Sequence, residues 1–105
     1  MTREVEIEVV RNPRAEAITL VVSTPDGAAV TVVRADTDLT IGDLKAEIIQ
    51  RAGLSVPANH RAQLYLRVKM GPDEQLALLQ DGQTLTQAGL KNGSHLALVW
   101  QAVMG

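Results

Sequence analysis

The sequence predicts an α+β domain in which one amphipathic helix lies across a mixed β-sheet, and three observations carry that prediction. The hydrophobic period along the chain switches from two to about 3.6 and back to two. Clusters of Pro, Asp and Gly punctuate the segments of period two. The core has to be aliphatic, because 46% of the 105 residues are apolar while Tyr65 and Trp100 are the only aromatics and phenylalanine is absent.

Taken in order, Glu4-Val5-Glu6-Ile7-Glu8-Val9 alternates strictly, which marks an extra half-buried strand with an acidic outer face. It reads either as an added edge strand whose charges discourage aggregation, or as a strand that meets a partner's sheet edge or holds a cation. Ile18 to Val22 and Val30 to Val33 are rich in β-branched residues, and Thr24-Pro25-Asp26-Gly27 between them makes a hairpin turn. Arg3, Arg11 and Arg14 read as a solvated leader.

The helix follows. Thr40 is its expected N-cap, Asp43 sits on the favourable side of the helix dipole, and Ile41, Leu44, Ile48 and Ala52 recur at spacings of three and four. Gly53 stands where a left-handed C-cap belongs. After a loop, Gln63 to Val68 returns to strand with Leu64, Leu66 and Val68 on one face, Gly71-Pro72-Asp73 turns the chain, and Leu76 to Leu79 runs back. Asp81-Gly82 is a further turn, Thr84 to Gly89 a short polar helical turn, and Leu96 and Leu98 share one face of a final strand.

This order packs most economically as a sheet of four to five strands, plus the possible extra N-terminal strand, with the helical stripe on Ile18, Leu20, Val30, Val32, Leu64, Leu66, Leu96 and Leu98. Such an arrangement is a β-grasp. Residues 1–16 are expected to form an N-terminal extension, 17–101 the domain and 102–105 a tail.

From Ile18 onward the chain resembles ubiquitin and its relatives. The resemblance rests on the hairpin, on Thr40-Ile41-Gly42-Asp43-Leu44-Lys45-Ala46-Glu47-Ile48 at the helix, on Leu64-Tyr65-Leu66, and on Asp81-Gly82-Gln83-Thr84-Leu85. Thr84 to Leu96, with Ala88-Gly89-Leu90 and Gly93, is similar to the YukD-like bacterial branch. Aligned without gaps from Leu90, Leu96 and Leu98 fall on core leucines of ubiquitin's last strand and Gly105 on its terminal glycine. Met104 replaces the first of ubiquitin's two glycines, and Gln101 and Val103 stand in place of its tail arginines.

The resemblance implies a bacterial protein modifier whose Gly105 carboxylate is activated by an E1-like enzyme with ATP, passed on through an E2-like enzyme, and joined to a target amine. The alternative it implies is a non-covalent YukD-like interaction module, for example a secretion-system accessory, or more remotely a small effector subunit of an oxygenase. By the same analogy a docking surface lies on the sheet face opposite the helix, with Tyr65 and Val99 in the places of ubiquitin's patch isoleucine and valine and Pro25 near its hairpin-tip leucine. Trp100 either closes the bottom of the core or touches a partner.

Chemistry of the chain's own is not expected. There is no cysteine for a thiolate, a disulfide or a sulfur-ligated metal. His60 and His95 lack metal-pair spacing, and Ser23, Ser55 and Ser94 lack a nucleophile-elbow context. No catalytic residue, cofactor site or metal site is assigned. Lys45, Lys69 and Lys91 read as solubilising charges or as acceptors for a second modifier. A net charge of −2 with scattered Lys and Arg argues against a nucleic-acid partner. No apolar run approaches the ~18 residues of a membrane span, and Met1-Thr2-Arg3-Glu4 opens with charge, so no membrane insertion and a cytoplasmic location are expected.

Overall fold

The computed structural model describes residues 3–103. Six strands and one helix follow in the order β1 (Glu4–Val9), β2 (Ala17–Ser23), β3 (Ala29–Asp36), α1 (Ile41–Arg51), β4 (His60–Met70), β5 (Asp73–Leu78) and β6 (Ser94–Ala102). The strands make one mixed sheet in the spatial order β1-β3-β2-β6-β4-β5. Pairs β1/β3 and β2/β6 run parallel, the others antiparallel. This is the predicted α+β architecture, with the N-terminal strand included.

The helix forms where its local signals place it. Thr40, in extended backbone, accepts the Asp43 N–H on its hydroxyl at 3.1 Å, while Ile41 and Gly42 donate to the Gln83 and Asp81 carbonyls, so the first-turn donors are all answered. At the other end Gly53 takes a positive φ of 69°, Leu54 N–H reaches the Ile49 carbonyl and Gly53 N–H that of Gln50. That pair of bonds is the Schellman stop that only a residue tolerant of left-handed backbone closes without strain. Ile41, Leu44, Ile48 and Ala52 are buried against the sheet residues Ile18, Leu20, Val30, Val32, Leu64, Leu96 and Leu98. Leu66 is half-buried against the same core.

β1 is tied in more firmly than a solvated leader would be. Ile7 and Val9 join the core, and Glu4, Glu6 and Glu8 face water. Arg3 pairs with Asp26 at 3.1 Å and donates to the Ala52 carbonyl; Arg11 pairs with Asp43 and Glu47. The connection from β1 to β2 crosses the end of β3, where the backbone N–H groups of Arg11 and Asn12 both donate to Asp36 Oδ2 at 2.7 Å. Asp36 is buried because this crossing needs an acceptor that the sheet ladder does not supply.

The stretch from Thr84 to Gly89 is a single turn. The Thr84 hydroxyl accepts from Gln87 N–H, the Gln87 amide oxygen accepts from Thr84 N–H, and the turn drops Leu85 and Leu90 into the core. Its polar appearance conceals the buried Leu85, and Leu90 just after it is buried as well.

Candidate functional site

Strand alternation assigns the two faces of the sheet. Leu64, Leu66, Leu96, Leu98, Val22, Val30 and Leu79 belong to the core side, so their neighbours Tyr65, Ala97, Ser23, Ala29 and Leu78 lie on the face away from the helix. Register then sets these neighbours in one row across all six strands: Leu78, Tyr65, Ala97, Ser23, Ala29 and Glu4. The row is apolar at the β5 end and acidic at the β1 end. Gradients of this kind orient a docking partner, because apolar contact favours one end and a carboxylate marks the other.

Around Tyr65 the apolar positions thicken. Leu76 lies opposite Arg67 in the next row at 52% exposure, Leu78 stands beside Tyr65 at 47%, and Val99 lies opposite Gln63 at 38%. Tyr65 is half-buried among them. The rim is polar: Gln63 Nε2 donates to Gln101 Oε1 at 3.0 Å, and Arg67 approaches Glu74 at 3.5 Å. An apolar centre with a hydrogen-bonding rim is the anatomy of a protein-binding surface.

The sequence-predicted docking residues separate into two groups. Tyr65 and Val99 come together on the outer face, and Pro25 is exposed in the turn that follows β2. Trp100 does not join them. It alternates to the helix side and packs half-buried against the core, the first of its two readings. Gly105 lies outside the described residues.

Leu76 and Leu78 are not singled out by the sequence, because their outward display follows from Leu79 entering the core beside Leu64, a contact made only in the fold.

Several of the remaining polar candidates have local partners. His60 Nδ1 lies 2.8 Å from the Ala58 carbonyl, the Ser94 hydroxyl accepts from Lys91 N–H at 2.9 Å, and His95 is exposed on β6. Lys45 is not a free surface amine: its Nζ donates to the Ala62 carbonyl at 2.9 Å and to Asp81 at 2.8 Å. Lys69 and Lys91 are exposed. One carboxylate is perturbed. The Thr24 hydroxyl, then the Ala28 amide, hold Asp26 below its ordinary value of 3.8; desolvation opposes this and the nearby Arg3 adds to it. The hydrogen bonds among Thr24, Asp26 and Ala28 hold the β2–β3 turn that carries Pro25. Among the described residues no helix is long and apolar enough to cross a membrane.

Comparison with known proteins bears on the fold. No family profile matches the sequence. No curated protein matches it either. Solved structures do. The C-terminal ubiquitin-like domain of mouse tubulin-specific chaperone e is 17% identical with a TM-score of 0.63, covering 90% of this chain and 97% of that one. The N-terminal ubiquitin-like domain of the 4931431F19Rik protein is 22% identical with a TM-score of 0.63, covering 91% and 86%. A designed protein based on ubiquitin is 19% identical with a TM-score of 0.61, covering 84% and 93%. The chain therefore has the ubiquitin-like β-grasp fold.

Proposed function

We propose that this chain is a non-enzymatic protein-docking module that binds its partner through the outer sheet face centred on Tyr65. The supporting observation is the cluster of Tyr65, Leu76, Leu78 and Val99 on the face opposite the helix, ringed by Gln63, Gln101, Arg67 and Glu74. The helix side, by contrast, spends its apolar residues on the core and shows water the charged side chains of Asp43 and Arg51. The YukD-like resemblance favours the same class of role, a bacterial cytoplasmic accessory that holds other proteins. Photocrosslinking tests it: a photoreactive amino acid at Tyr65 should give discrete adducts in cells, and the same group at the exposed helix position Gln50 should not. Equal adducts from both positions would count against the docking face.

Conjugation through the Gly105 carboxylate by E1-like and E2-like partners is the second reading, supported by the alignment of Gly105 with ubiquitin's terminal glycine. It carries a geometric demand. The β6 ladder continues to the His60 and Ala102 pair, and Val103 N–H donates to the Asn59 carbonyl at 2.8 Å. A tail entering a narrow enzyme channel has to give up these bonds first. Incubation with a candidate activating enzyme and ATP, comparing the chain with one carrying extra residues after Gly105, separates the readings. Docking survives the extension, and adduct formation through Gly105 does not.

A further inference from the structure

The two edges of the sheet are built differently. β1 carries Glu4, Glu6 and Glu8 along its exposed row, and the Glu8 carbonyl already accepts from Arg51 Nη1 at 2.7 Å. Charges in this position discourage a further strand. β5 has no such guard over Leu76 to Leu78. Every residue from Asp73 to Leu78 is exposed, and Leu76 and Leu78 are the most exposed large apolar residues among those described.

The backbone of β5 is directed as well as exposed. Leu79 N–H donates to the Leu64 carbonyl at 3.0 Å, one rung along the ladder from the Tyr65 and Leu78 pair. Antiparallel ladders alternate, so Ala77 and Gln75 turn their backbone groups toward β4, while Leu78, Leu76 and Glu74 turn theirs to the outside. Both leucines thus present an N–H, a C=O and an apolar side chain at the same edge.

We infer that β5 pairs antiparallel with β5 of a second copy of this chain about a two-fold axis at Ala77. In that register Leu76 of each copy lies opposite Leu78 of the other, and each such pair exchanges both of its N–H···O bonds. The four leucines meet on the outer face between the two Tyr65 side chains. Ala77, the smallest apolar side chain, occupies the axis on the opposite face, where bulk would hold the sheets apart.

Charge selects this arrangement over its competitors. Asp73 and Glu74 sit at one end of the strand, so antiparallel pairing sends the two acidic ends apart, whereas in-register parallel pairing would set Glu74 against Glu74. Pairing β5 with β1 of another copy would bring the glutamate-bearing strand to the leucines and leave an edge free at each end, which propagates as a filament and does not close. The two-fold seam closes. It is also short beside the about 20–30 residues per side of a standard interface, so the association is weak and depends on concentration. It shares Leu76 and Leu78 with the proposed docking face, but it forms between two copies of this chain with no other protein bound there.

Sedimentation velocity of the full chain between about 10 μM and 1 mM, a range that brackets weak association, is the test, combined with amide exchange at both ends. The expected result is a rise toward twice the monomer mass, accompanied by at least tenfold slower exchange at the Leu76 and Leu78 amides. Leu78→Lys should abolish the rise by charge. Leu76→Pro should abolish it by deleting an outward donor that β4 does not use. Both positions are exposed, and an unchanged circular dichroism spectrum verifies that the variants fold. A monomer throughout the range overturns the inference. So does a dimer that persists in both variants, or protection of β5 that appears only when a different protein is added.

Discussion

Asp36 and Asp26 are both carboxylates that accept backbone N–H bonds, yet burial gives them different work. Asp36 Oδ2 answers the Arg11 and Asn12 donors while its Oδ1 has no partner among the described residues. Truncation to alanine leaves both donors without their acceptor, and each partly buried orphan costs about 1–3 kcal/mol. Asp36→Ala should therefore lower the unfolding free energy by about 2 kcal/mol or more in urea titrations, and Asp36→Asn, which keeps an acceptor, by less.

Asp26 is exposed, and its effect shows as pH dependence. A carboxyl held below 3.8 in the folded state adds stability above that pH and loses it as the pH falls through the lower, folded value. Carbon-detected NMR titration should find Asp26 below 3.8, and Thr24→Val should move it upward, since the Thr24 hydroxyl is the main cause of its depression.

At the scale of elements, the helix was the most legible part of the sequence because its signals are local. Thr40, the apolar stripe and Gly53 each act within a turn or two of themselves, and each does in the structure what its residue type suggests. Thr40→Ala should cost about 1 kcal/mol through the lost cap. Gly53→Ala should cost at least about 1 kcal/mol, because a Cβ at φ 69° is strained even where space is open. Thermal or urea unfolding checks both.

Strands were legible as strands through their β-branched residues, but their neighbours were not, because pairing is set by contacts far apart in sequence. That is why the outward display of Leu76 and Leu78 escaped notice: it follows from Leu79 reaching the core beside Leu64. It is also why Arg3 and Arg11 read as free charges, whereas the pairing of β1 with β3 brings Arg3 to Asp26 and the β1–β2 connection brings Arg11 to Asp43 and Glu47. Trp100 was half legible. Its parity with Leu96 and Leu98 assigns the face, but its distance from the core's edge comes only from the fold.

At the scale of the molecule, the helix and the sheet divide the labour. One face of the sheet is consumed by Ile41, Leu44 and Ile48, all without solvent exposure, and the other is left for external contacts. Ile48→Ala should lower stability by about 2–5 kcal/mol, the usual range for a large-to-small change in a core. Changes at the outer face should leave stability nearly untouched, since surface substitutions away from special contacts stay within about 0.5 kcal/mol. That separation makes function testable apart from folding. With a partner identified by crosslinking at Tyr65, titration calorimetry on the wild type, Tyr65→Arg and Gln50→Arg is the most direct measurement. Docking through the outer face predicts at least a tenfold loss of affinity, about 1.4 kcal/mol, for Tyr65→Arg and none for Gln50→Arg. Unchanged affinity in Tyr65→Arg with a loss in Gln50→Arg would place the partner on the helix and contradict the account.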